Sequence, residues 1–248
     1  MKLVSCLILL CILVGYADAQ RGEKRIDEYS DYWDYQDIRK ALNNSDRISW
    51  MIYRTYSKDD GDSRHLCVYA NVTGIGDIYT FEQGYIVSKG EQNTTMKEPL
   101  FAHTYKTDNP YRTDEVRPNH NAMRVTKKRD DPNGRKYQLV YSDYKECDIL
   151  RVLGQNNDYD CELYVHDKVE NLAVPARCEK IYGNACGKGE EYKKRVSDKS
   201  CRDTREVTPN PPSTTTPPEK EPPEVPPEIP SEETPEKEPT SSTPPPGC

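Results

Sequence analysis

The sequence predicts an all-β fold, an eight-stranded antiparallel barrel with a short helix ahead of it and a second helix after it. Three observations predict this. Short runs of period-two hydrophobicity recur along the chain, separated by polar, Gly or Asn clusters. They fall within residues 20–206, a stretch sized for a single core. Two adjoining runs each carry a cysteine followed at once by an acid, Cys147-Asp148 and Cys161-Glu162. So many consecutive hairpins would expose strand edges in an open sheet, and closure into a barrel removes them.

The two ends lie outside that core. Lys2, the apolar run 3–14 and the small-residue site Ala17-Asp18-Ala19 form the pattern of a cleaved secretory signal, residues 1–19. Cys6 and Cys11 leave with it, and Cys67, Cys147, Cys161, Cys178, Cys186, Cys201 and Cys248 enter an oxidising compartment where pairing is expected. The sequons at Asn43, Asn71 and Asn93 fit a secreted glycoprotein. No later segment has the apolar length of a membrane span. Residues 207–248 are Pro, Glu, Ser and Thr with almost no large apolar side chain, a composition that predicts a disordered tail. That tail holds eight Glu and two Lys against a net charge of −7 for the whole chain, so the body is close to neutral. A neutral body with an acidic tail argues against nucleic acid and membrane surfaces as partners. Cys248 is left for an interchain disulfide, linking a dimer, or as a free thiol.

Within the body, Tyr35, Ile38 and Leu42 share one helical face, with Ser30 or Asp31 available as a cap and Asn43-Asn44 as a stop. The period then changes to two. Ile48, Trp50, Ile52 and Tyr56 alternate with Ser49, Met51, Tyr53 and Thr55, a strand with an apolar and aromatic face. Further strands are expected at 66–72, 77–87, 100–107, 123–128, 137–144, 148–153 and 161–165. A second helix is expected at 175–187, with Pro175 near its first turn, carrying Cys178 and Cys186. The basic residues Arg124, Lys127, Lys128, Arg129, Arg135 and Lys136 bracket Asp130-Asp131-Pro132-Asn133-Gly134 and read as a solvated hairpin rather than an anion site.

Strand parity turns the cysteine-acid pairs into a statement about a pocket. A helix cannot thread the lumen of so small a barrel, so the helix cysteines approach from outside and the strand cysteines they bind face outward. Asp148 and Glu162 then face inward, near each other on neighbouring strands, provided no bulge intervenes. Two buried like charges need a proton or a cation, and an organic amine would supply one. On the bland reading the acids pair with Arg151, Lys145 or water. Trp50, Tyr79, Phe81, Tyr85 and Tyr141 are read as core lining.

Other chemistries find no support. Asp59-Asp60-Gly61-Asp62 lacks the closing bidentate Glu of a calcium loop. The four histidines have no zinc-ligand spacing, Gly74-Ile75-Gly76 lacks a third glycine, and there is no Gly-x-Ser-x-Gly. The expectation is a binding protein with no metal, no cofactor and no enzymatic activity.

The order and spacing of Ser45-Asp46-Arg47-Ile48, Tyr53-Arg54-Thr55-Tyr56, Tyr141-Ser142-Asp143, Cys147-Asp148-Ile149-Leu150, Cys161-Glu162-Leu163-Tyr164, Val174-Pro175-Ala176-Arg177-Cys178 and Cys201 carry a family likeness. Over the whole body, tail excluded, the chain resembles the tick salivary lipocalins of the histamine-binding family. The resemblance implies a lipocalin barrel with the C-terminal helix tethered outside. It also implies disulfides Cys67–Cys201 and Cys147–Cys178, which leaves Cys161–Cys186, where composition alone permits fifteen pairings of six cysteines. It further implies sequestration of small host amines by inward carboxylates and aromatics. Asp148, Glu162 and Tyr164 match such positions, and Tyr56 with Asp59 match a second pair.

This chain departs from the pattern with Tyr137 and Gln138 where an amine binder would place an acid, and with Tyr164 in place of a larger Trp. The expected function is sequestration of histamine or serotonin in saliva to blunt host inflammatory defence. The alternatives are a lipid mediator such as a leukotriene, held in the lumen, or a host immune protein bound through the outer surface.

Overall fold

The computed structural model describes residues 25–58, 61, 63–109 and 114–206. The signal segment, Asp59 and the tail with Cys248 lie outside the described residues. Eight strands form the barrel: β1 (Ile48–Arg54), β2 (Ser63–Gly74), β3 (Tyr79–Lys89), β4 (Gln92–Tyr105), β5 (Ala122–Thr126), β6 (Arg135–Ser142), β7 (Cys147–Leu153) and β8 (Cys161–His166). Each pairs antiparallel with the next, β8 pairs with β1, and β1 pairs with β2, which closes the sheet. A two-residue strand, β9 (Lys194–Arg195), adds to the edge of β1.

The wall separates two apolar clusters. Inside lie Met51, Val68, Phe81, Leu100, Met123, Leu139 and Leu150. Outside, Ile149, Leu163 and Val165 pack with Ile181 and Tyr182 of the helix α2 (Ala176–Cys186). Disulfides Cys147–Cys178 and Cys161–Cys186 fasten α2 to β7 and β8, and Cys67–Cys201 fastens the terminal helix α3 (Cys201–Glu206) to β2. The outer layer also holds a buried bidentate ion pair, Arg151 Nε and Nη2 on Asp27 at 2.8 and 2.9 Å. Burial works against the Asp27 carboxylate, yet Arg151 holds it below its ordinary range. Arg151, which the sequence offered as a partner for the lumen acids, therefore faces away from them.

The N-terminal arm closes one end of the barrel. The helix α1 (Ile38–Leu42) turns Ile38, Ala41 and Leu42 into the lumen. The sequence suggested a helix beginning near Ser30, but a 3₁₀ segment (Ser30–Tyr35) comes first, and Gln36 breaks the helical path with φ −122°. The cap of α1 is Asp37, whose carboxylate accepts the amide hydrogens of Arg39 and Lys40. Tyr144 Oη donates to the Asp34 carbonyl at 2.7 Å and accepts from the Asp37 amide at 3.0 Å, which ties the arm to the β6–β7 turn.

Two bulges redirect aromatic side chains. The β1–β8 register shifts between Met51 and Tyr53, so Ile52 is an extra residue. Ser49 and Met51 line the lumen before it, and Arg54 and Tyr56 line it after. Tyr56 thus leaves the face of Trp50, which packs in the outer cluster. A second shift between Leu139 and Tyr141 turns Tyr141 outward, against Tyr35 at 5.3 Å between ring centroids. Strand β4 begins eight residues ahead of its predicted start, because the polar segment after Gly90 pairs back along β3. No hydrophobic alternation marks it.

Candidate ligand site in the barrel lumen

The lumen holds a cavity of about 730 Å³. Its middle is apolar, lined by Met51, Val68, Phe81, Leu100, Val125 and Leu150. Polar groups sit at the two ends, and the two strand acids predicted from sequence, Glu162 and Asp148, belong to different ends, while Asp59 lies outside the described residues.

At the end away from α1, Glu162 is 1 % exposed. Its carboxylate accepts hydrogen bonds from the hydroxyl of Tyr56 and, at 3.0 Å, from that of Tyr164. The Arg135 guanidinium lies 3.8 Å away, 4.8 Å over the Tyr56 ring and 5.6 Å over that of Tyr137. Arg54 is the register partner of Glu162, and Lys58 lines the same end. Burial works against a charged Arg135, but Tyr137, Glu162 and Tyr56 together hold it firmly protonated. Burial, then the negative charge of Glu162, pushes the hydroxyls of Tyr56, Tyr137 and Tyr164 well above the ordinary phenol range. These phenols are neutral donors at any physiological pH.

At the end beside α1, Asp148 Oδ2 lies 3.0 Å from His166 Nε2. Burial opposes the imidazolium, yet the charge and hydrogen bond of Asp148, with Asp46 nearby, raise its pKa. Asp148 Oδ1 and His166 Nδ1 are buried and have no hydrogen-bond partner among the described residues.

The structure therefore brings Tyr56, Glu162 and Tyr164 together and places Asp148 apart from them. Parity makes both acids inward-facing, but they stand two positions apart along the strands and engage different partners, Glu162 with Tyr56 and Tyr164 and Asp148 with His166. The counter-charge expected from a ligand is already present in the chain, as Arg135 for one acid and His166 for the other. Both partners stand at period-two positions, Arg135 two residues before Tyr137 and His166 two after Tyr164, and that spacing is their only trace in the sequence.

The family described as tick histamine binding protein matches residues 26–203. The chain belongs to the tick histamine-binding protein family. It shares that family's character as a binding protein that sequesters small molecules. No curated protein matches the sequence. Among solved structures, the chain is similar to Japanin from Rhipicephalus appendiculatus bound to cholesterol, at 17 % identity and TM-score 0.41, covering 59 % of this chain and 90 % of that one. It is similar to apocrustacyanin C1 at 16 % identity and TM-score 0.48, covering 75 % and 96 %. It is also similar to H1 crustacyanin from the lobster Homarus americanus at 14 % identity and TM-score 0.43, covering 65 % and 82 %. Among the described residues, no helix of this family member is long and apolar enough to cross a membrane.

Proposed function

We propose that the protein is a secreted salivary scavenger whose lumen holds a drug-sized host mediator with a long apolar body and an anionic head, the class that includes leukotrienes. One observation carries this reading: the acid best placed to receive an amine, Glu162, already has Arg135 against it and two phenol donors on its oxygens. An entering ammonium would meet a carboxylate already paired with Arg135 and flanked by Arg54 and Lys58, whereas an entering carboxylate would be drawn to those cations. The apolar middle suits the body of such a ligand, and about 730 Å³ falls in the usual range for drug-sized ligands. The three disulfides fit an oxidising, extracellular setting. Native mass spectrometry and displacement of a fluorescent fatty acid test the reading. Stoichiometric binding is expected, weakened about tenfold or more by Arg135→Ala, since a hydrogen bond to a charged group contributes roughly 1.5–3 kcal/mol. A barrel that takes up no amphipathic anion would refute it.

The unpartnered Asp148 Oδ1 favours a second reading, an amine seated at the α1 end. Histamine or serotonin would then give calorimetric heat that disappears in Asp148→Asn and survives Arg135→Ala.

A further inference from the structure

The outer wall formed by β4, β5 and β6 carries basic side chains that the lumen does not use. His103 is the register partner of Arg124, and Arg124 is the register partner of Lys136. Three basic residues therefore stand in line across three neighbouring strands. Alternation places them outside, because Ala102, Val125 and Tyr137 beside them pack in the inner cluster. Arg129 joins the row from the β5–β6 connection. Its guanidinium lies 5.6 Å over the Phe101 ring, and its carbonyl accepts a hydrogen bond from His103 Nε2 at 2.7 Å. The pleat thus divides a cluster that reads in sequence as one solvated hairpin: Arg135 turns to the lumen, while Arg124, Arg129 and Lys136 turn out.

Like charges directly opposite one another on adjacent strands destabilise a sheet. Within the same barrel, Lys97 pairs with Glu82 and Lys127 with Glu98. Among the described residues, no carboxylate forms an ion pair with Arg124, Arg129 or Lys136. An unfavourable row left without internal counter-charge fits an external polyanion.

We infer that this wall docks a linear sulfated polysaccharide. With Arg129 over Phe101 of β4, Arg124 on β5 and Lys136 on β6, the cations step across three strands about 4.8 Å apart, roughly 10 Å over which a repeating anion can meet them in turn. An acidic membrane fits less well. Among the described residues, the large exposed hydrophobic ones, Tyr29, Ile75, Met96, Val116 and Tyr159, include none from the face of this row, and Phe101 lies under Arg129. Single-stranded nucleic acid would need open aromatic faces for stacking, which the same arrangement withholds.

The test uses the full chain on a surface of immobilised heparin oligosaccharide across a salt series. Wild type should bind at about 0.15 M ionic strength. Arg124→Ala/Lys136→Ala should bind at least tenfold more weakly, with a slope of log affinity against log salt reduced by roughly two. A control of equal charge change on the exposed Lys180 and Lys188, Lys180→Ala/Lys188→Ala, should behave as wild type. Arg124→Gln/Lys136→Gln repeats the measurement should Arg124→Ala/Lys136→Ala melt early. No wild-type binding, equal loss in row and control variants, or binding to phosphatidylserine vesicles without binding to heparin would each overturn the inference.

Discussion

Glu162 is the residue at which the amphipathic-anion reading and the sequence expectation of an amine held by this acid predict opposite signs. If the ligand brings an anionic head, Glu162 competes with it for Arg135, and Glu162→Gln should raise affinity for a long-chain fatty acid severalfold. If the ligand is an amine held by that acid, the same substitution should weaken it. Glutamine keeps one acceptor oxygen, so either Tyr56 or Tyr164 retains its bond while the other faces an amide, and the change removes the charge with little change of volume. A displacement titration with one fatty acid and one amine decides between them.

His166 makes a separate prediction. Its pKa is raised by Asp148 above the ordinary value of 6.5, so the pair's stabilisation is complete below about pH 6.5 and is lost as pH rises through the folded value. Denaturation midpoints measured from about pH 6 to pH 8 should fall more for wild type than for Asp148→Asn, in which the imidazole loses its partner. Parallel pH curves would show that the dyad does not couple to folding.

At the scale of elements, the bulges in β1 and β6 mark what sequence reasoning could and could not reach. The cysteine-acid pairs of β7 and β8 have no bulge between them, so parity places them correctly. Tyr56 and Tyr141 lie beyond one-residue insertions that leave no mark in composition, and parity carried across them fails. Likewise β4 extends through polar residues because its partner β3 supplies the ladder. The disulfides add a graded prediction. Cys67–Cys201 spans 134 residues and Cys161–Cys186 spans 25. In the chain-entropy model their contributions are roughly 5 and 3.5 kcal/mol, so a serine pair at 67 and 201 should destabilise more than one at 161 and 186. Urea denaturation of the two variants gives the order directly, and a reversed order would mean that native packing of α2, not loop length, governs the difference.

For the molecule as a whole, the barrel was legible because closure follows from local rules applied eight times, while the charge network was not, because ion pairs join residues far apart in sequence. Arg135 and Glu162, or Arg151 and Asp27, meet only once the wall is closed. The same wall gives two surfaces of distinct use from one stretch of chain. Arg135 and Tyr137 face the cavity, and Arg124 and Lys136 face outward, one peptide unit from the lumen residues yet across the thickness of a sheet. Sites that share no partner combine additively within about 0.3–0.5 kcal/mol. Arg124→Ala/Lys136→Ala should therefore leave fatty-acid affinity unchanged, Arg135→Ala should leave heparin affinity nearly unchanged, and the triple variant should show both losses undiminished. A coupling larger than that additivity range would mean that occupying the lumen moves the β5–β6 connection, and that the inner and outer faces of the wall report to each other.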